Sequence, residues 1–164
     1  MPPPTHEPPR AGARRALYLA GLSVRTSNPD EREGAGRIAS LWEQWFRRRG
    51  EVPWTGDPIA AYVDYASDQD GPYTLFVGVE RPAGADVPAG WSTCDVPAAD
   101  GLMFATRGSM PQAVFGAWQR IGSWFEAEPG VERAFTADVE FHRDDGVDVH
   151  VATQPRDARP GGRP

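Results

Sequence analysis

Thr136, Asp138, Glu140 and His142 stand at alternate positions in the run 132–142. An extended strand sends alternate side chains to opposite faces, so these four share one face, while Phe135, Ala137, Val139 and Phe141 share the other. The apolar set is expected to face the helices, which leaves the polar set facing a groove. A carboxylate at position 140 would then stand in mid-sheet rather than in loop solvent. There it could anchor a cation, or move a proton if the site were catalytic. Two carboxylates on one face also repel one another, an arrangement that can serve general acid chemistry. An ordinary antiparallel strand, wet on one side, produces the same pattern.

The aromatic content separates these readings. Six tryptophans and four tyrosines are many for 164 residues. Trp42, Trp45, Trp118 and Phe125 lie at helical spacing, where aromatics mostly fill a core. Tyr62, Tyr65, Tyr73, Trp54, Trp91 and Phe104 lie on strand-like or loop segments. Trp91 sits in a Pro/Gly-rich connection, a usual place for a lid over a ligand. Aromatic walls around one buried anion favour a planar cation, through stacking, cation–π attraction and charge neutralisation. The candidate ligand-binding residues are Glu140, Tyr62, Tyr65, Trp91, Phe104, Trp118 and Trp42, and Glu140 is the one candidate catalytic residue.

Other chemistries find little support. His142 and His150 have no third ligand at useful spacing, so no metal is expected. Neither a serine nor Cys94 lies in a G-x-S-x-G turn, and no glycine-rich phosphate loop occurs, so no cofactor is expected. A single cysteine excludes an internal disulfide. The net charge of −6 argues against direct nucleic-acid binding, because phosphate contacts need a basic face. Every Lys+Arg position is arginine, and Arg47–Arg49 close a helix, where cations suit the macrodipole. No run reaches the roughly 18 apolar residues that span a bilayer, and no apolar leader follows the first methionine. A cytoplasmic location without a membrane partner is the expectation, and oligomeric state is left open.

The elements that must position these residues follow from periodicity. Residues 16–26 read as a strand, and Ser27-Asn28-Pro29-Asp30 as a turn and helix start. Ile38, Leu41, Trp42, Trp45 and Phe46 follow the i, i+3, i+4, i+7, i+8 pattern of a helix that ends near Gly50. Strands are predicted over 59–65 and 73–80. After a connection of about 20 residues the plan repeats. There is a strand over 102–108, a helix opening at Pro111 with Val114, Ala117, Trp118, Ile121 and Phe125 on one face, then strands over 132–142 and 147–153. The helices echo one another, IASLWEQWF against VFGAWQRIGSWF. The fold class is therefore α+β. Two duplicated βαββ units form a pseudo-two-fold antiparallel sheet, with two helices on one face and a ligand cleft between the halves. The domain is expected over 15–154, with Pro-rich or Pro/Gly/Arg-rich disordered tails at 1–14 and 155–164.

Several segments carry a family resemblance: GLSVRTSNPDE (21–31), ASLWEQWF (39–46), AYVDYASDQDGPYTLFVGVE (61–80), LMFATRGSMPQAVFGAWQRIGSWF (102–125) and ADVEFH (137–142). The chain resembles the GyrI-like small-molecule-binding domain, also found as the effector-binding domain of AraC-type regulators. That resemblance implies a duplicated βαββ fold with the ligand between the halves. It also implies that the glutamate of the D-x-E strand, Glu140, anchors cationic ligands from the cleft floor. Family members often carry an upstream DNA-binding domain, whereas this chain looks like a stand-alone member. Some stand-alone members are implicated in hydrolysing cyclopropane-containing DNA-alkylating toxins within an aromatic cage, which makes a detoxifying hydrolase the alternative function. A gyrase-interacting inhibitor with an acidic surface is the third. Where the family usually has an aromatic residue two places after the glutamate, this sequence has His142.

Overall fold

The computed structural model describes residues 7–34, 36–127 and 130–156. Its strands are β1 (Arg10–Arg14), β2 (Leu17–Thr26), β3 (Ile59–Val63), β4 (Tyr73–Glu80), β5 (Ser92–Val96), β6 (Ala99–Arg107), β7 (Val131–Arg143) and β8 (Gly146–Pro155). Three helices, α1 (Asn28–Arg32), α2 (Ile38–Arg48) and α3 (Gln112–Ala127), lie between them, and a 3-10 turn, Arg49–Glu51, follows α2. The predicted plan is present: β2, α2, β3 and β4 form one unit, and β6, α3, β7 and β8 the other. The start signal at residues 27–30 works as expected, since the Ser27 side chain accepts from the Asp30 amide and caps α1.

All eight strands form one antiparallel sheet in the order β1-β6-β8-β7-β3-β4-β2-β5. The halves meet at the central β3–β7 pair, where Ala60 stands opposite Glu140. From that pair one row runs outward through Val77 and Leu22 in the first half, and through Val149 and Phe104 in the second. Glu140 is the one ionisable residue in that row.

The sheet closes on itself. Only Arg15 and Ala16 separate β1 from β2, although the two strands lie toward opposite ends of the order. Only Pro97 and Ala98 separate β5 from β6. A trans chain advances at most about 3.8 Å per residue, so neither crossing could span a flat sheet with strands about 4.8 Å apart. The register shows how both are made: Arg14 pairs with Ala99, and three residues further on Leu17 pairs with Val96. The ladder between 10–21 and 92–103 keeps one register through both crossings, and Arg14 Nη2 donates to the Pro97 carbonyl at 3.0 Å.

Closure explains a core that contains no helix residue. Leu17, Leu19, Ile59, Ala61, Phe76, Val96, Ala137 and Val139 form a buried cluster drawn from strands alone. The helices cover the opposite face. Leu41 and Trp45 of α2 pack with Ala20, Leu22, Ala60, Leu75 and Val77, and Ala113, Ala117 and Ile121 of α3 with Phe104, Val147, Val149 and Val151. The split of β7 into two faces holds over Ala137–His142, but its assignment is corrected. Ala137 and Val139 face the sheet-only core, while Asp138 and Glu140 face the helix side, because both faces of this sheet are buried.

Two short strands were not expected. Arg10–Arg14, assigned above to a disordered tail, pairs with β6. Ser92–Val96, read as connection, pairs with β2. Residues 1–6 and 157–164 of the expected tails lie outside the described residues.

Candidate functional site

Glu140 lies at the seam of the halves, with α2 on one side and α3 on the other, and it is only 2% exposed. Its Oε2 accepts from Tyr62 Oη at 2.6 Å and from Trp118 Nε1 at 2.7 Å. Its Oε1 accepts from His142 Nε2 at 2.8 Å. These donors come from β3, α3 and β7, so the carboxylate ties both halves together. A carboxylate offers about four acceptor positions, and three are filled here. Tyr62 and Trp118 are neutral donors at ordinary pH, and no arginine ion pair to Glu140 occurs among the described residues. A buried carboxylate held by these hydrogen bonds without a guanidinium is receptive to a cation.

Asp138, fully buried on the same face, is arranged differently. Its Oδ2 accepts from Arg133 at 2.7 Å and from Tyr65 Oη at 2.6 Å, and its Oδ1 accepts from the Ala152 amide. The β7–β8 register shifts between Arg133 and Asp138, and Phe135 sits there with φ 53°. This bulge carries Arg133 back onto Asp138 and turns Phe135 against Tyr65, ring centroids 5.5 Å apart. Strict alternation had placed Phe135 with the apolar parity, and the bulge breaks that alternation. The expected mutual repulsion of the two carboxylates is offset because Asp138 has its own guanidinium, which also lies over Phe135 and Trp118 at 4.4 and 5.4 Å.

Aromatic rings surround the two acids. Tyr62 meets Trp118 edge-on at 5.2 Å and Tyr73 at 5.4 Å, and Tyr65 meets Tyr73 at 5.8 Å. Across the seam, Trp42 of α2 packs on His142 at 4.7 Å, and the half-exposed Phe46 on Trp42 at 5.8 Å. The start of α2 is fixed by Glu31, whose carboxylate accepts from the Arg37 and Ile38 amides and from Thr26 Oγ1. Burial and the nearby acids push the tyrosine hydroxyls up. Tyr62 is raised by desolvation and by Glu140, Tyr65 by desolvation and by Asp138, and Tyr73 by desolvation, to about 12. All three therefore stay neutral donors at ordinary pH.

Of the seven candidates, Glu140, Tyr62, Tyr65, Trp118 and Trp42 come together at this seam. Two do not, and both are corrected. Trp91 is no lid: it is 7% exposed in the core beneath α2, with Trp45 at 5.4 Å and Trp54 at 6.2 Å. Phe104 is fully buried under α3 against Trp124 and Phe125. Four site residues were not among the candidates: Tyr73, Arg133, Phe135 and His142. Position 142 carried a signal, since it shares the parity of Glu140. His142 and His150 stand opposite Val147 and Val139, on different faces of the sheet. No cluster of three or more His, Cys, Asp or Glu able to hold a metal occurs among the described residues. No helix among them is long and apolar enough to cross a membrane.

A duplicated α+β sheet with an acid at its seam, flanked by one helix from each half, defines an effector-binding domain of the GyrI-like type. The chain belongs to the family of integron-associated effector-binding proteins, Cass2, whose model matches residues 15–154. Its fold is similar to the integron cassette protein VCH_CASS2 of Vibrio cholerae, with a TM-score of 0.82 and 21% identity over 92% of this chain and 99% of that one. SAV2435, solved bound to tetraphenylphosphonium, is similar with a TM-score of 0.66 and 12% identity over 90% and 94%. Among relatives, YobU of Bacillus subtilis, which carries a transcriptional-regulator name, is 30% identical over 76% of this chain and 79% of its own length. The transcriptional regulator BrlR of Pseudomonas aeruginosa is 30% identical over 79% of this chain but only 46% of its own length.

Proposed function

We propose that the seam between the halves binds planar, cationic aromatic small molecules, as a sensing or sequestering domain. The observation that carries this reading is Glu140: a buried carboxylate with no arginine ion pair among the described residues, hydrogen-bonded by Tyr62, Trp118 and His142 and walled by Trp42, Tyr62 and Trp118. A cation entering there gains stacking on the rings and neutralises a charge already desolvated. SAV2435, of similar fold, binds tetraphenylphosphonium, itself an aromatic cation. The regulator names of YobU and BrlR favour sensing over simple storage. Hydrolysis of a strained electrophile has less support, since the oxygens of Glu140 are already engaged by three side chains.

The test is a fluorescence titration of wild type and Glu140→Gln with a cationic rhodamine and a neutral dye of similar shape. Glutamine can keep its oxygen toward Tyr62 and Trp118 and turn its NH2 toward His142, so the fold survives while the charge goes. Loss of one charge-assisted contact weakens the cation by roughly 1.5–3 kcal/mol and leaves the neutral dye nearly unchanged. Equal losses for both dyes would remove Glu140 from the role of anchor.

A further inference from the structure

His142 occupies an unusual position. Its ring lies against Trp42 at 4.7 Å, and its Nε2 reaches Glu140 Oε1 at 2.8 Å. It is thus a flat nitrogen heterocycle, packed at a tilt of 51° against an aromatic wall and directing an edge N–H at the buried carboxylate. The second oxygen, Oε2, is already taken by Tyr62 and Trp118, so the less engaged Oε1, where the imidazole sits, is the oxygen a ligand's hydrogen bond would take. His142 is also among the residues lining an open cavity of about 280 Å³, with Thr55, Asp57, Pro58, Ile59 and Phe141. The His142 side chain is 14% exposed.

We propose that the His142 side chain stands in the ligand's place, and that it sets the ligand class: a flat, protonated nitrogen heterocycle presenting an N–H at its edge, rather than a quaternary cation. This rests on the reading of Glu140 as the anchor and adds which cation it selects. The ring of His142 turns aside, and an N–H of the ligand replaces its own on Oε1 while the ligand's flat ring packs against Trp42. A quaternary nitrogen fills the space without restoring that hydrogen bond.

The charged groups around this ring are few. From its own strand there is Glu140, and next to it Arg143, whose guanidinium is held by Asp148 at 2.6 Å. From the cavity wall come Asp57 and Glu80, the latter bound to Arg15. From α2 the ring meets Trp42, which does not titrate. Glu140 is the only charged group bonded to the imidazole among the described residues.

A matched pair of dyes tests the proposal: acridine orange, a flat cation with one ring N–H, and its N10-methyl derivative, equally charged but without it. Fluorescence titrations at about pH 7.5 should show wild type binding acridine orange about tenfold tighter, the value of one charge-assisted hydrogen bond. In Glu140→Gln that preference should vanish. His142→Phe, which removes the competing donor from Glu140 but keeps a ring, should bind acridine orange several-fold more tightly than wild type. His142→Ala should do the same and guards against a misfolded phenylalanine variant. Equal affinity of wild type for the two dyes overturns the ligand class, and affinity no tighter than wild type in both His142 variants overturns the competition. Binding of neither dye by any variant would instead remove the anchor role of Glu140 on which the proposal rests.

Discussion

Asp138 and Glu140 stand two residues apart on one face of β7, and among the described residues only Asp138 has a guanidinium: Arg133 lies 2.7 Å from its Oδ2. The fold thus holds two buried carboxylates side by side and compensates one. The compensated acid is structural, also holding the Ala152 amide and Tyr65. The other, Glu140, is held by Tyr62, Trp118 and His142, which is the arrangement proposed for a binding anchor.

Arg133→Met should therefore be costly, although arginine on a strand is often a surface residue. The pair is buried, at 14% and 0% side-chain exposure, so removing the cation strands a charge at a cost of about 3–5 kcal/mol. Urea unfolding should show this as a fall in midpoint with little change in slope. The double variant Arg133→Met, Asp138→Asn should recover most of the loss, because asparagine still accepts from the Ala152 amide. A double variant no more stable than the single one would show that Arg133 acts through its contacts with Phe135 and Trp118 instead.

Trp91 and Trp118 separate core from site. Trp91→Ala opens a hole against Trp45 and Trp54 and should cost about 3–5 kcal/mol, without altering the preference for a cationic over a neutral dye. Trp118→Phe keeps a ring against Tyr62 but removes the N–H from Glu140, costing about 1–3 kcal/mol. With one donor fewer, Glu140 gains more from a bound cation, so the thermal shift produced by a cationic dye should grow. A Trp118→Phe shift no larger than that of wild type would show that the indole N–H is not part of the anchor's balance.

The duplicated plan and the shared face of Asp138, Glu140 and His142 were legible in the sequence because period-2 and period-3.6 patterns are local. Closure of the sheet was not. It depends on how residues 10–21 pair with 92–103, and β1 is the sequence Arg-Ala-Gly-Ala-Arg, which has neither alternation nor β-branched residues. Missing that closure turned the sheet inside out, since Leu17, Leu19 and Val139 have the same apolar character whether a helix or the sheet itself covers them. Trp91 shows a second limit: a tryptophan in a Pro/Gly-rich connection reads as a lid until the partners that bury it, Trp45 and Trp54, are known. The bulge at Phe135, where a non-glycine residue takes a positive φ, has no sequence signal at all.

Gly21 and Gly78 pair directly across β2 and β4. A Cβ at Gly21 would fall on the Val77 carbonyl, and one at Gly78 on the Ala20 carbonyl, both backbone atoms that cannot swing away. Gly78→Ala should therefore force the strands apart and cost about 1–3 kcal/mol or more. Gly12, where a Cβ meets nothing within 4 Å, should accept alanine with no loss. Thermal midpoints of the two variants make the comparison. A Gly78→Ala protein as stable as Gly12→Ala would mean that the two strands can separate freely at this point.

The tyrosines give the protein an alkaline limit. Tyr62, Tyr65 and Tyr73 all have hydroxyls raised from the ordinary value of 10.0, with Tyr73 at about 12. A raised value means that the unfolded chain releases its protons first. The contribution is complete below about pH 10 and is lost as pH climbs toward the folded-state values, at up to about 1.4 kcal/mol per pH unit for each tyrosine. Urea midpoints should hold steady from about pH 8 to 9.5 and fall steeply above it. Tyr62→Phe should flatten that fall while lowering stability at neutral pH, because it also takes a donor from Glu140. Absorbance of tyrosinate near 295 nm, followed alongside, should show these three phenolates appearing together with unfolding. Tyrosinates that form well before the fold is lost would mean that water and hydroxide already reach the seam, and that the carboxylate is not held in the dry surroundings described above.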